Sequence, residues 1–233
     1  SQNWIGPPGS TIETAAFVPP PVEEMQAALS DLESYINGHQ SIPAALKLGL
    51  IHYQFETIHP FLDGNGRVGR LLIPLLLCAW DLLPQPFLNI SVYFEKHRQQ
   101  YYDLLLAVSR NGDWEDWLLF FLDGIFVQSK QAVDLIGRLS KIQTKYYQLV
   151  EHDRVADKLK DVIDFLLGQP VVSTNQVVAG TRAANFNAAS RYITKLVAVG
   201  ILEEMTGAAR NRIFVSREIL LAIQQPVQED GFE

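Results

Sequence analysis

Residues 59–70 read HPFLDGNGRVGR and bring three glycines, two arginines, a carboxylate and a histidine into twelve positions. Apolar residues with helical spacing lie on both sides, from 43 to 57 before the stretch and from 66 to 83 after it. The first of these helices is apolar on nearly every side, which is typical of a core helix. The stretch is therefore predicted to be a turn between two helices.

Two other interpretations of the stretch are less favoured. Asp63-Gly64 and Asn65-Gly66 are typical hairpin dipeptides, but the flanking residues do not alternate as strands would. The spacing of the three glycines also spells GxGxxG, a fingerprint that follows a strand and needs an acidic residue about 20 positions on. Here a helix precedes it, and position 86 is proline.

The start of the second helix is suited to binding a polyphosphate. A loop that ends in Gly64-Asn65-Gly66 leaves backbone N–H groups free at a helix N-terminus, where the helix dipole also favours an anion. Glycine keeps side chains away from that anion. Arg67 and Arg70 are three residues apart, so both can reach phosphate oxygens from one face of the helix.

The remaining polar residues of the stretch suit phosphoryl or nucleotidyl transfer. Asp63 offers a hard oxygen ligand for Mg²⁺ held jointly with a nucleotide. His59 can accept a proton near neutral pH, and Phe61 is expected to turn inward and fix the loop. In such reactions positioning and charge neutralisation supply most of the catalysis. No GxxxxGK[ST] loop is present, which excludes an ordinary P-loop enzyme.

The stretch resembles the signature of the Fic family, HxFx(D/E)GNGRxxR, at eight defined positions. They are His59, Phe61, Asp63, Gly64, Asn65, Gly66, Arg67 and Arg70. The resemblance extends from QNWIG and FVPPP through HYQFETIHPF to RQQYYDLL and NGDWEDWLLFF. It implies a mainly α protein with a Fic-type helical bundle over 1–150 and a β-hairpin flap over 1–21.

The resemblance implies a protein adenylyltransferase that moves AMP from ATP to a Ser, Thr or Tyr hydroxyl of a target protein, with pyrophosphate leaving. His59 would be the general base, and Asp63 would hold Mg²⁺. Backbone groups of residues 64–66 would surround the α-phosphate, and the two arginines would contact the β and γ phosphates. The implied nucleotide-binding residues are Phe61, Gly64, Asn65, Gly66, Arg67, Arg70, Tyr101 and Tyr102.

Partners and regulation also follow from the resemblance. The target would dock on the flap by edge pairing, and self-modification and a homodimer are further expectations. The family's inhibitory pattern [ST]xxxE[GN] is not matched, because Lys96 follows the correctly spaced Ser91 and Glu95. We expect the inhibitory helix to lie upstream of Ser1 or on a partner, and this chain alone to be active.

A composition change near 152 indicates a second domain over 155–223, followed by a tail over 224–233. Its order of short helices, a longer helix and a hairpin predicts a winged helix-turn-helix. Asn187, Ser190, Arg191 and Lys195 would lie on its recognition helix, with Arg210, Asn211 and Arg212 on the wing. Eight Lys or Arg against six Asp or Glu give it a net charge of only +2, so DNA contact is less favoured than protein contact or dimerisation.

Composition sets the remaining limits. The net charge of -7 gives no reason to expect nucleic-acid or membrane binding by the whole chain. The single cysteine, Cys78, precludes an internal disulfide and favours a reducing, cytoplasmic setting. The apolar run 71–80 is shorter than the roughly 20 residues that span a bilayer. A nucleotide-sensing, DNA-binding transcriptional regulator and a Fic enzyme that transfers another phosphate-linked group remain the alternatives.

Two residues of the first helix are left open. His52 is either a hydrogen-bonded core histidine or, together with His59, a metal ligand, and the first is favoured. Glu56 either orients the His59 imidazole or pairs with a nearby cation.

Overall fold

The computed structural model describes residues 2–6, 9–38, 41–207 and 211–225. The described residues are mainly helical, and the chain divides into two compact units between Ala132 and Val133. The helices of the first unit are α1 (Val22–Asn37), α2 (Ala44–Ile58), α3 (Asn65–Ala79), α4 (Ile90–Lys96), α5 (Arg98–Asn111) and the first part of α6 (Trp114–Val150). The sequence allows a break of α6 near Gly124 or Gly137, but the helix is continuous through both.

The core of the first unit forms around α2. Leu48, Ile51 and Ile58 of this helix are buried, as are Trp117 and Phe121 of α6. The indole Nε1 of Trp117 donates to the Gly49 carbonyl at 3.1 Å. Burial on nearly all sides removes most of the apolar surface of α2 from water, which is the main contribution that holds this helix in the core.

Lys47, the basic residue of this apolar helix, has a structural role. Its Nζ donates to the carbonyls of Ile36 and Gly38 at 2.8 and 3.0 Å, at the C-terminal end of α1. The ammonium also lies 4.9 Å from the centre of the Trp80 ring. A cation at a helix C-terminus satisfies carbonyls that have no partner within the helix, so Lys47 joins α1 to α2.

The N-terminal segment lies against the same unit. One antiparallel bridge joins Ile5 to Phe17, and Gln2 Nε2 donates to the Pro19 carbonyl at 2.8 Å. The described part of the segment thus closes on itself through a single bridge, which is less than a ladder of paired strands. Ser1, Pro7 and Pro8 of the predicted flap lie outside the described residues.

The second unit combines helices with a small antiparallel sheet. After the end of α6 it contains α7 (Ala156–Gly168), β1 (Val171–Ser173), α8 (Thr174–Gly180), α9 (Phe186–Ala198), β2 (Glu203–Glu204), β3 (Ile213–Val215) and α10 (Arg217–Gln224). The strand order is β1-β3-β2, and the buried stripe of α9 includes Ala189, Ile193 and Leu196. Arg210 of the predicted wing and residues 226–233 of the predicted tail lie outside the described residues.

In the part of the chain that the structure describes, no helix is both long enough and apolar enough to cross a bilayer.

The close approach of α2 and α3 at Gly69 gives a test of the fold. A methyl group at Gly69 would lie 2.4 Å from Glu56 Oε1 and 3.0 Å from Phe55 Cδ1. We expect Gly69→Ala to lower the free energy of unfolding by about 1–3 kcal/mol because the two helices must move apart. Chemical denaturation measures this.

Gly137→Ala is the matched control, since it is also a helical glycine and no described heavy atom lies within 4 Å of its added methyl group. Alanine there should stabilise by up to about 1 kcal/mol through helix propensity. Equal effects of the two substitutions would contradict the tight contact at Gly69.

Candidate active site

The candidate site lies in the turn between α2 and α3. The last turn of α2 ends at His59, whose N–H donates to the Phe55 carbonyl at 3.0 Å. His59 has a left-handed backbone conformation with φ 48° and ψ 57°, and Gly64, at φ 88°, precedes α3. The predicted turn between two helices is confirmed. A β-hairpin is excluded for this stretch, as is a GxGxxG fingerprint that follows a strand.

Asn65 holds the turn closed. Its Oδ1 accepts from the Phe61 N–H at 2.9 Å, and its Nδ2 donates to the Phe61 carbonyl at 2.6 Å. The side chain is only 2% exposed. Both ends of the amide are therefore occupied by the backbone N–H and C=O of Phe61, which leaves the backbone of Asn65, rather than its side chain, to meet a ligand.

The start of α3 is an uncapped helix N-terminus among the described residues, since no side chain accepts from its first N–H groups. The two arginine head groups flank this start. A Cβ on Gly64 would lie 3.3 Å from Arg67 Nη2, and a Cβ on Gly66 would lie 2.9 Å from Arg70 Nη1. Backbone donors, the helix dipole and two guanidinium groups thus converge on one place, which favours an anion there.

Asp63 lies at the exposed edge of this place. Its carboxylate pairs with Arg67 at 3.2 Å, and both side chains are largely exposed. An exposed pair of this kind contributes about 0–1 kcal/mol, so a cation bound with an anionic ligand can replace Arg67 as the partner. The described residues contain no group of three acidic, His or Cys side chains arranged to bind a metal. A magnesium ion here would depend mainly on the phosphates of its substrate, as is usual for that ion.

The His59 imidazole is half-buried beside the loop. Its Nδ1 lies 3.3 Å from the Glu56 carbonyl. Burial lowers the pKa of His59 below its usual 6.5, and the contact with the Glu56 carbonyl opposes this in part. The ring is therefore neutral at pH 7 and can accept a proton on Nε2, which makes no hydrogen bond to the described residues.

A buried polar group of side chains lies behind the arginines. His52 Nδ1 is 3.2 Å from the Gly69 carbonyl, and Nε2 is 3.0 Å from the Tyr101 hydroxyl. Burial lowers the pKa of His52 to about 4, so this histidine is a neutral core residue. The structure does not bring it together with His59 as a metal pair, because both of its nitrogens are occupied.

Glu56 belongs to this buried group and does not orient the imidazole through its side chain. Its Oε1 is buried without a hydrogen-bond partner among the described residues. Burial raises the pKa of Glu56 to about 7, although the positive charge of Arg70 lowers it in part. Of the two interpretations drawn from the sequence, interaction with a nearby cation is the one favoured, because the positive charge of Arg70 acts on the Glu56 carboxyl.

Three aromatic predictions turn out differently from one another. The prediction that Phe61 turns inward is wrong, since this residue is 48% exposed. The backbone of Phe61, held by the Asn65 side chain, fixes the loop instead of the ring. Tyr101 is buried in the core with its hydroxyl on His52. Tyr102 is half exposed and lies under Arg98, and the nucleotide-binding roles of the two tyrosines stay predictions.

Sequence reasoning missed Asn3. Its Nδ2 lies 3.0 Å from the His59 carbonyl and 2.9 Å from the Phe61 carbonyl, 56 and 58 residues along the chain. No spacing rule connects an asparagine in a Pro-rich segment with a turn so distant in sequence. The contact became visible only in three dimensions.

Two of the cations of the second unit that could contact DNA, on the less favoured interpretation, are paired with carboxylates. Lys195 of α9 pairs with Asp153, and Arg212 pairs with Glu204. Arg191 is exposed on the same helix. A surface that binds DNA mainly through phosphate contacts needs several cations that are free to release counterions, so these pairs weigh against DNA contact.

Comparison with known proteins supports the resemblance. Residues 4–77, which include the turn, match the Fic/DOC family model. The chain is 31% identical over 116 residues to a protein adenylyltransferase Fic of Aedes aegypti, a match that covers 49% of this chain and 22% of that protein. It is 32% identical over 96 residues to a probable protein adenylyltransferase of Aquifex aeolicus, covering 41% and 30%. This chain therefore spans less than a third of the length of either relative.

Among solved structures, a Fic family protein from Desulfovibrio desulfuricans G20 is similar with a TM-score of 0.49 and 20% identity, covering 85% of this chain and 57% of that one. This likeness is too weak to carry a conclusion.

The buried carboxyl of Glu56 gives a pH test. Its pKa is about 7 in the folded protein against 4.5 ordinarily, so the unfolded chain releases this proton first as pH rises. The contribution of Glu56 to stability is therefore greatest below pH 4.5 and is lost as pH rises to about 7. Glutamine does not titrate. As pH rises from 4.5 to about 7, the free energy of unfolding of Glu56→Gln should therefore increase relative to that of the wild type, on the order of 3 kcal/mol in total.

Denaturation at several pH values measures the difference between the two proteins, in which the titration of all other carboxyls cancels. Glu33→Gln, at an exposed position of α1, is the control for the loss of a surface carboxylate. A difference between Glu56→Gln and the wild type that does not change with pH would contradict the burial of an unpaired carboxyl.

Proposed function

We propose that this protein is a protein adenylyltransferase that transfers AMP from ATP to a hydroxyl of a target protein. One observation carries the proposal: an uncapped helix start flanked by two guanidinium groups adjoins a half-buried, neutral imidazole in the same turn. The names of the relatives, which describe protein adenylyltransferases, support ATP as the donor.

The α-phosphate would rest on the backbone N–H groups of residues 64–66. Arg67 and Arg70 would neutralise the β and γ phosphates, since each head group already lies over one of the flanking glycines. Asp63 would be the protein ligand of Mg²⁺, which supplies charge neutralisation on the phosphates. Its exposure and its weak pairing with Arg67 make it available for that purpose.

His59 would act as the general base. Its Nε2 takes the proton of the target hydroxyl while the hydroxyl oxygen attacks the α-phosphorus. The bond between the α-phosphorus and the bridging oxygen breaks, and pyrophosphate carries away the electron pair. The contact between Nδ1 and the Glu56 carbonyl would keep the proton of the neutral ring on Nδ1, which leaves Nε2 as the acceptor.

The finer assignments belong to the same proposal. Segment 1–21 would be the flap on which the target docks, and the catalytic domain would extend over 1–150. Residues 155–223 would form a winged helix, which the order of helices and strands in the second unit supports. Because its cations are partly paired, we favour protein contact or a homodimer over DNA for this domain.

The test uses ATP labelled on the α-phosphate, Mg²⁺ and candidate targets or the protein itself. We expect label to enter protein, and His59→Ala to lower the rate by about 10²–10⁴-fold through loss of the base. His152→Ala, an exposed histidine of the second unit, is the matched control and should leave the rate unchanged.

Other outcomes separate the alternatives. Transfer from a different nucleotide or from a diphosphate donor, with ATP inactive, would keep the site and change the reaction. Tight, sequence-specific DNA binding without transfer of any label would favour the transcriptional regulator and contradict the enzyme.

A further inference from the structure

The backbone of His59 has a left-handed conformation, with φ 48° and ψ 57°. Positive φ is uncommon for residues other than glycine, and such a conformation persists where the surrounding contacts fix it. Two contacts come from α2 itself: the His59 N–H with the Phe55 carbonyl and Nδ1 with the Glu56 carbonyl. Neither contact involves the His59 carbonyl.

That carbonyl accepts a hydrogen bond from Asn3 Nδ2 at 3.0 Å. The same nitrogen lies 2.9 Å from the Phe61 carbonyl, so one primary amide supplies both of its N–H groups to two carbonyls of the turn. The Phe61 carbonyl also accepts from Asn65 Nδ2. The two asparagines therefore meet at one oxygen, the carbonyl oxygen of Phe61.

Asn3 is itself held in place by its neighbours. Gln2 donates to the Pro19 carbonyl, and Ile5 is bridged to Phe17, so the backbone on both sides of Asn3 is tied to the returning part of the N-terminal segment. A fixed donor loses less side-chain entropy when it binds than a free one would.

We propose that Asn3 is a positioning residue of the candidate active site, which orients His59 through its backbone and ties the N-terminal segment to the catalytic turn. The inference rests on the proposed function, in which His59 is the base. Asn3 touches neither nucleotide nor hydroxyl in this scheme. Loss of the Asn3 amide should therefore slow the proton transfer to His59. It should not affect the phosphate site, which Asn65 and the start of α3 maintain.

The test compares Asn3→Ala and Asn3→Asp with the wild type. Aspartate has the shape of asparagine but no N–H groups when ionised, so it separates hydrogen bonding from packing. We expect both variants to lower kcat about tenfold or more, while KM for ATP stays within about twofold. Asn37→Ala and Asn37→Asp are the matched controls: they make the same changes at an exposed asparagine of α1, whose Nδ2 donates to the Glu33 carbonyl at 3.0 Å, and they should leave kcat unchanged.

A second measurement does not depend on the reaction. Amide hydrogen exchange over residues 59–62 should be about tenfold faster in both Asn3 variants and unchanged in the Asn37 variants. Faster exchange in a protein that transfers no label would show the positioning contact and refute only the proposed function. Wild-type exchange, wild-type kcat in the aspartate variant of Asn3, or an equal loss in the Asn37 variants would each overturn the role of Asn3.

Discussion

The turn between α2 and α3 depends on the two hydrogen bonds that the Asn65 side chain makes with the backbone N–H and C=O of Phe61. A primary amide offers a donor and an acceptor in one plane, so it can satisfy an N–H and a carbonyl of the same residue. Because Asn65 is buried at the first position of α3, the loop is fixed relative to the helix whose N-terminus would receive the phosphate. Aspartate would match the shape and fail at the carbonyl.

This arrangement concentrates polar groups where the core would otherwise be apolar. His52, Tyr101 and Glu56 all lie within the buried region behind Arg70, and burial shifts the pKa of each toward its neutral form. A neutral histidine and a half-protonated carboxyl reduce the number of charges that the low-dielectric interior must hold. A buried carboxyl without a hydrogen-bond partner is costly. Strongly shifted pKa values are often found at functional sites, and here the charge that acts on Glu56 is that of Arg70.

Local patterns in the sequence predict the helices and the turn well. The apolar residues of 43–57 and 66–83 fix two helices, and the glycines between them fix where the chain must turn, so α2, the loop and α3 follow from local pattern alone. The mainly helical fold and the arginine pair follow from the same spacing. Patterns of this kind report on neighbours within about one turn of helix, and the remaining features of the site do not depend on such neighbours.

The features that could not be predicted are contacts between residues distant in sequence. The inward ring of Phe61 was a reasonable expectation for an aromatic in a loop, yet Asn65 binds the backbone of Phe61 and leaves its ring half exposed. Asn3 reaches the turn from 56 residues away. The environment of Glu56 depends on Gly69, whose missing side chain admits the carboxyl against α3.

The glycines of the turn have a further consequence for how the site is built. A small residue at 64 and 66 is usually explained by the need for a phosphate to approach the backbone closely. Here the space above Gly64 and Gly66 is already bordered by the head groups of Arg67 and Arg70, at 3.3 and 2.9 Å from where a Cβ would lie. A side chain at either position would therefore displace a guanidinium group before any ligand arrived. The glycines and the arginines therefore act together. Gly64 leaves room for the head group of Arg67, and Gly66 leaves room for that of Arg70.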